Sequence, residues 1–161
     1  MLAGAMLAYT DESDFIYVEE DCLAFGPWVD RLYEDMGEAV MAFGLKHQSP
    51  PWMPCSQSLF IVRHSFIPTF VSTYLRMGRD GDVRTLGEQK FVIMEQQYGP
   101  TLIRRMSFGV DRERPIPWGA EVFYFQQPTK AELEEAATLG LIELPWEMPP
   151  PPEPASDEPN L

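Results

Sequence analysis

The sequence predicts an α+β domain built on a mixed α/β sheet, followed by an extended Pro-rich tail. Short runs of β-branched and aromatic residues alternate along the chain with segments of helical apolar spacing. The composition then changes abruptly after Leu144, where Pro149, Pro150, Pro151 and Pro152 follow one another. A chain of 161 residues can withdraw roughly 70% of its unfolded surface from water, so a core forms without disulfide or metal staples. We therefore read one domain over 1–144 and an acidic Pro-rich tail over 145–161.

The elements follow in order. Phe15-Ile16-Tyr17-Val18 is rich in strand formers and is preceded by the turn and cap residues Asp11, Ser13 and Asp14, so a strand or a helix start is expected there. Trp28, Leu32, Met36, Val40 and Phe43 recur at helical spacing between Pro27 and Gly44, which predicts a helix over 28–43. Three prolines make 47–54 irregular. Ser58 to Val62 reads as a buried strand. Over 66–77, Phe66, Phe70 and Tyr74 share one face, Pro68 fits a first turn and Gly78 is placed to close the helix, although Ile67, Thr69, Val71 and Thr73 favour a strand.

Asp80-Gly81 marks a turn, and Phe91-Val92-Ile93-Met94 predicts a strand over 90–95. Thr101 is expected to cap a short helix holding Leu102, Met106 and Phe108, closed by Gly109. Ala120 to Gln127 reads as the clearest strand. Thr129 and Glu132 form a capping box for a helix ending at Gly140. From Met148 onward the chain should be an extended polyproline segment.

Charge falls in three blocks. Residues 1–42 hold ten acids against Arg31 alone, residues 43–127 hold ten bases against seven acids, and residues 128–161 hold eight acids against Lys130. A net charge of -13 repels phosphate backbones, so direct nucleic-acid binding is not expected. In the middle block Arg76, Arg79, Arg84, Arg104 and Arg105 are the candidate anion contacts, although a solvated or internally paired face is the commoner explanation of such residues. Nor is a membrane partner expected: no apolar run approaches the ~20 residues a bilayer span needs. The apolar opening Met1 to Tyr9 lacks the basic flank and length of a secretory signal, which points to a cytoplasmic or virion-associated protein.

Metal and nucleophile signatures are weak. His47, His64, Cys22 and Cys55 do not stand at zinc-ligand spacing, so no metal is expected. Cys22 or Cys55 with His64 could make a nucleophile and base, but buried inert thiols are commoner. A Cys22–Cys55 disulfide is disfavoured in an unexported chain. Asp80 and Asp82 flank Gly81 without the ligand series of a calcium loop. The four tryptophans read as packing anchors.

From Ser58 onward the expected order is strand, Pro-started helix, strand, short capped helix, glycine, bulky strand. With Gly99-Pro100-Thr101-Leu102-Ile103-Arg104-Arg105-Met106-Ser107-Phe108-Gly109-Val110 and Glu121-Val122-Phe123-Tyr124-Phe125, that order resembles the second half of the GCN5-related N-acetyltransferase family over 58–127. It is similar, too, to the acetyltransferase-like virion-associated proteins of short-tailed bacteriophages. The resemblance implies an acetyltransferase-like fold and, in an active member, acetyl-CoA held on backbone N–H groups of a glycine-containing turn at a helix start. Here the corresponding turn, Arg63-His64-Ser65-Phe66-Ile67-Pro68, has no glycine and loses a donor to Pro68. The family's general-acid tyrosine falls on Arg105, and a guanidinium does not release its proton at working pH.

The sequence therefore favours a non-catalytic structural or interaction protein with no catalytic residue and no cofactor. It would be a subunit or accessory of a large assembly such as a viral particle, docking on protein partners or copies of itself. Its tail would be the contact, through Trp146, Met148, Pro149, Pro150, Pro151 and Pro152. One alternative is an acyl-CoA-dependent N-acyltransferase, using Arg76 or Arg79 for the pyrophosphate and Glu95 to accept the amine proton. A second is an acidic decoy of a basic nucleic-acid-binding protein.

Overall fold

The structure is a computed structural model and describes residues 1–45, 55–79, 87–106, 115–116, 118 and 124–145. It is a mixed α+β fold. Two units emerge, Met1–Pro128 and Thr129–Leu161.

The first unit runs α1 (Leu2–Thr10), β1 (Phe15–Val18), β2 (Cys22–Ala24), α2 (Trp28–Met36), β3 (Met41–Leu45), β4 (Cys55–Val62), a 3₁₀ turn (His64–Phe66), α3 (Ile67–Arg79), α4 (Gly87–Tyr98), β5 (Ile103–Met106) and β6 (Tyr124–Gln126). One sheet has the order β1-β4-β3-β5, and β2 pairs with β6 in a separate two-stranded sheet. In the larger sheet β4 runs antiparallel to both β1 and β3, whereas β3 and β5 are parallel.

Strand β4 is the centre of this unit, and its sequence says why. Leu59, Phe60, Ile61 and Val62 are all fully buried, as expected for an apolar run covered on both faces. Alternation sends Phe60 and Val62 into a cluster with Phe15, Phe43, Phe70 and Phe91, while Leu59 and Ile61 join Leu32, Met36, Met106 and Tyr124 on the opposite face. Helix α1 adds Ala5 to the first cluster, α3 adds Ile67 and Phe70, and α4 adds Phe91 and Met94. The second face is covered by α2 and by Tyr124 of β6.

Several expectations hold. Residues 15–18 form a strand rather than a helix start, 58–62 lie in β4, and the Pro68 helix forms with its aromatic face inward. Four others need correction. The helix from Trp28 stops at Met36, because Gly37 takes φ 54° and turns the chain; Phe43 then lies in β3, and Gly44 sits at a register shift instead of a helix end. Gly78 lies inside α3 and does not close it.

Residues 90–95 are helical. Phe91, Met94 and Tyr98 fall on one inward stripe while Ile93 is exposed, so the helical period outweighs the β-branched pair Val92-Ile93. Conversely, Thr101 caps no helix, since Gly99 at φ 86° and Pro100 turn the chain into β5, whose Ile103 pairs with Met41. Two of the elements behind the acetyltransferase resemblance thus have the other secondary structure. Helix α1 and strands β2 and β3 were not foreseen: α1 is apolar on all sides, and the two strands are three and five residues long.

Of the strand expected over 120–127, Tyr124–Gln126 is described as strand; 120–123 lie outside the described residues, as do the 47–54 segment, the Asp80-Gly81 turn and the Pro-rich tail. In the second unit, α5 (Lys130–Thr138) opens on the expected capping box. The Glu132 N–H donates to Thr129 Oγ1 at 3.3 Å, and the Thr129 N–H donates to the Glu132 carboxylate at 2.8 Å. Gly140 follows at φ 72°, its N–H donating to the Ala137 carbonyl at 2.9 Å. Among the described residues no helix is long and apolar enough to cross a membrane.

Candidate functional site

Two polar clefts flank β1. The first lies at its start, and it contains the turn that the family resemblance singles out. The Arg63 N–H donates to the Val40 carbonyl at 2.8 Å, the His64 N–H donates to Asp14 Oδ1 at 2.7 Å, and the Phe66 N–H donates to the Arg63 carbonyl at 2.9 Å. With the Ile67 N–H bonded to the His64 carbonyl and Pro68 lacking a donor, the N–H groups of Arg63, His64, Phe66 and Ile67 are all bonded inside the chain. Its resident anion is Asp14.

Around that carboxylate the pairing continues. Tyr33 Oη donates to Asp14 Oδ2 at 3.0 Å and Arg63 Nη1 does so at 3.2 Å, while Arg63 Nη2 reaches the Gly37 carbonyl at 3.2 Å. Burial opposes the charge on Asp14, but the His64 N–H, Tyr33 and Arg63 together outweigh it and hold the carboxyl below its usual range. Burial and the bond to Asp14 push the Tyr33 hydroxyl upward. A cleft of about 460 Å³ opens beside these groups, lined also by Glu38 and Ser65. Acyl-CoA pyrophosphate would have to displace a chain carboxylate from this turn, so the geometry does not favour it there.

The second cleft lies at the other end of β1. Val18 pairs with Leu59, and the Glu19 N–H extends that ladder one step by donating to the Ser58 carbonyl at 2.8 Å. There the chain leaves the larger sheet. Glu20 and Asp21 make a turn closed by the Cys22 N–H to the Glu19 carbonyl at 3.2 Å, and β2 carries Cys22 into register with Gln126. The strand exit therefore places carboxylates at positions i and i+2, Glu19 and Asp21, with the Cys22 thiol beside them. One ligand atom from each of the three lies within 4.8 Å of the others.

Glu19 and Asp21 border a cavity of about 610 Å³, lined also by Tyr17, Val18 and Glu20. Its negative field is visible in its neighbours. Burial raises the Tyr17 hydroxyl, and Glu19, Cys22, Glu20 and Asp21 add to the rise. Burial also pushes the Cys22 thiol up to about 12, against the hydroxyl of Tyr124 at 3.1 Å and with the help of Asp21 and Glu19. Cys22 is a free thiol, and it is kept neutral.

No protein-family model matches the chain. No curated protein matches it in sequence.

The residues singled out in the sequence scatter. Arg76 is exposed on α3, its guanidinium 3.5 Å from Thr73 Oγ1. Arg104 and Arg105 point to opposite sides of β5: Arg104 lies toward Gly37, while Arg105 is ion-paired with Glu95 of α4. Glu95, the acceptor under the acyltransferase alternative, is thus engaged by a cation. The Arg79 side chain, Arg84, Asp80, Asp82, Trp146, Met148, Pro149, Pro150, Pro151 and Pro152 lie outside the described residues.

Cys22 and His64 do not come together as nucleophile and base; His64 stacks on Tyr9 with ring centroids 5.0 Å apart. Trp118 packs on Phe25 and Phe125, and Trp28 packs against the cluster beneath α2, consistent with anchoring. In the sequence Glu19 and Asp21 stand out only as part of an acidic block, and Cys22 only as a thiol without zinc-ligand spacing. The sequence signal of the group is a Glu-x-Asp directly after a strand.

Proposed function

We propose that this chain is a divalent-cation-dependent binding domain that takes a phosphorylated small molecule, as its cation complex, in the cavity at the end of β1. The observation that carries the proposal is that Glu19 and Asp21, which line that cavity, converge with Cys22, one ligand atom of each lying within 4.8 Å of the others. It departs from the sequence expectation of no metal, which weighed only His, Cys and the Asp80-Gly81-Asp82 turn.

The chemistry of the donor set selects the ion. The group offers two carboxylates and one sulfur with no imidazole, and carboxylates suit Mg²⁺, Mn²⁺ or Ca²⁺ whereas zinc prefers several thiolate or imidazole ligands. Two carboxylates leave such an ion with open positions, which Mg²⁺-type sites commonly complete with ligand phosphates. Among the described residues lining the cavity none is cationic, so a free anion is repelled and a phosphate enters with its cation. At about 610 Å³ the space far exceeds a bare ion and falls in the range of small-molecule sites, roughly 300–1,000 Å³.

Calorimetric titration with Mn²⁺ tests this. Saturable binding that is lost in Glu19→Gln and Asp21→Asn, and that strengthens with a nucleoside diphosphate present, supports the proposal. No heat at about 10 mM Mn²⁺, above the weakest natural calcium sites, overturns it.

A docking subunit is the second reading, favoured by α1. This helix carries no charge, yet Met6, Leu7 and Tyr9 are exposed by 47%, 66% and 41%, and a helix apolar on all sides is normally covered. Sedimentation decides the self-association form: a concentration-dependent shift lost in Leu7→Asp supports it, and a monomer at every concentration removes it.

A further inference from the structure

We propose that the outer edge of β1 takes up an extended, basic segment of a partner protein as an added strand. This goes beyond the cation-binding reading, because its foundation is the backbone of β1. The β1–β4 ladder shows which way that backbone points. Phe15 lies opposite Val62 and Tyr17 opposite Phe60 in antiparallel register, and the Glu19 N–H donates to the Ser58 carbonyl. Hydrogen-bonded pairs in an antiparallel ladder recur at every second residue, so Phe15, Tyr17 and Glu19 direct their N–H and C=O groups at β4. Ile16 and Val18 direct theirs the other way. Strand β1 ends the sheet order β1-β4-β3-β5, and no described strand lies on that side to receive them.

The space beside that edge is open. The cavity of about 610 Å³ touches five consecutive residues, Tyr17 to Asp21. Neighbouring side chains of a strand point to opposite faces, and here Tyr17 packs with the Phe60 cluster on one face while Val18 packs with the Leu59 cluster on the other. A space that reaches both residues runs along the flank of the strand. The flank toward β4 is taken by the ladder partners Phe60 and Leu59, which leaves the outer one.

An edge with unpaired N–H and C=O groups is a template for another strand, and charge selects which strand. A second copy is a poor occupant. Pairing Ile16 and Val18 of one copy with Val18 and Ile16 of the other sets Glu20 opposite Asp14 at both ends, and like charges directly opposite destabilise a sheet. Each copy also carries a net charge of -13. A foreign strand with lysine or arginine at alternate positions meets Glu19, Glu20 and Asp21 instead, and none of the described residues lining the flank is cationic. Its backbone then supplies the acceptors and donors that Ile16 and Val18 lack.

The test is amide hydrogen exchange of the full chain, followed by NMR without added metal, alone and with a short peptide of alternating lysine and valine. A glutamate–valine peptide is the control. In the protein alone the Ile16 and Val18 amides should exchange freely while those of Tyr17 and Glu19 are protected. The lysine peptide at about 10 mM, tenfold above a millimolar dissociation constant, should slow the first two by about tenfold, and the glutamate peptide should not. Glu20 is exposed, and Glu20→Lys should transfer the protection from the lysine peptide to the glutamate peptide. Val18→Pro, which removes an outward donor and spares the β4 ladder, should abolish it with both. Slow exchange of Ile16 and Val18 in the protein alone, whether a second copy or this chain covers them, overturns the proposal. So does exchange that the lysine peptide leaves unchanged, or protection that Glu20→Lys does not alter. None of these results bears on the Mn²⁺ titration, so the cation reading is decided separately.

Discussion

The carboxylate of Asp14 accepts the backbone N–H of His64 at 2.7 Å across a separation of 50 residues. That bond joins the entry of β1 to the exit of β4, and Tyr33 and Arg63 close around the same carboxylate. One side chain thus ties three segments together.

Replacing Asp14 by Ala should lower stability by about 2 kcal/mol, the scale for hydrogen bonds to a charged group. The folded carboxyl lies below its ordinary value of 3.8, so its contribution is complete above that value and is lost as pH falls through the folded-state value. Urea unfolding at pH 7 and near pH 3 should show a smaller acid loss in Asp14→Asn than in wild type. Equal acid losses would refute the assignment.

Acetyl-CoA should not stabilise the protein. At the turn after β4 the N–H groups of Arg63, His64, Phe66 and Ile67 are already bonded within the chain, and a ligand that does not bind the native state leaves the melting temperature where it was. A clear upward shift at about 1 mM, a thousandfold above a micromolar dissociation constant, would restore the acyl-CoA alternative.

Phe60 is the ring on which the first core face is assembled, with Tyr17 and Phe91 centroids at 5.1 and 4.9 Å. It is fully buried. Phe60→Ala should cost about 3–5 kcal/mol, read as a loss of the cooperative thermal transition or a large drop in its midpoint.

Gly37 ends α2 at φ 54°, ψ -127°. A β-carbon there would meet Arg104 Nη1 at 3.7 Å, an ordinary contact, so the cost of Gly37→Ala lies in the backbone and should be about 1–3 kcal/mol. Chemical denaturation measures it; a neutral substitution would mean that α2 can end in another way.

Cys22 should resist alkylation at pH 8. Its thiol is pushed up to about 12, and the thiolate is the reactive form. Peptide mapping after brief iodoacetamide treatment should find Cys22 unmodified in the native protein and modified in urea.

Local patterns alone account for β4, for the Pro68 helix and for the Thr129–Glu132 capping box, because a doubly buried strand, a helical aromatic stripe and a side chain that bonds its own helix start are settled within a few neighbouring residues. Residues 90–95 and 101–106 were decided elsewhere: Phe91 had to face Phe43 and Phe60 from a helix, and Ile103 found its ladder partner in Met41. The acidic turn followed the same division. Its carboxylates were legible as charge, but the Gln126 and Gln127 amides that hydrogen-bond Glu19 and Asp21 come 107 and 106 residues later, and only folding brings neutral donors across that distance.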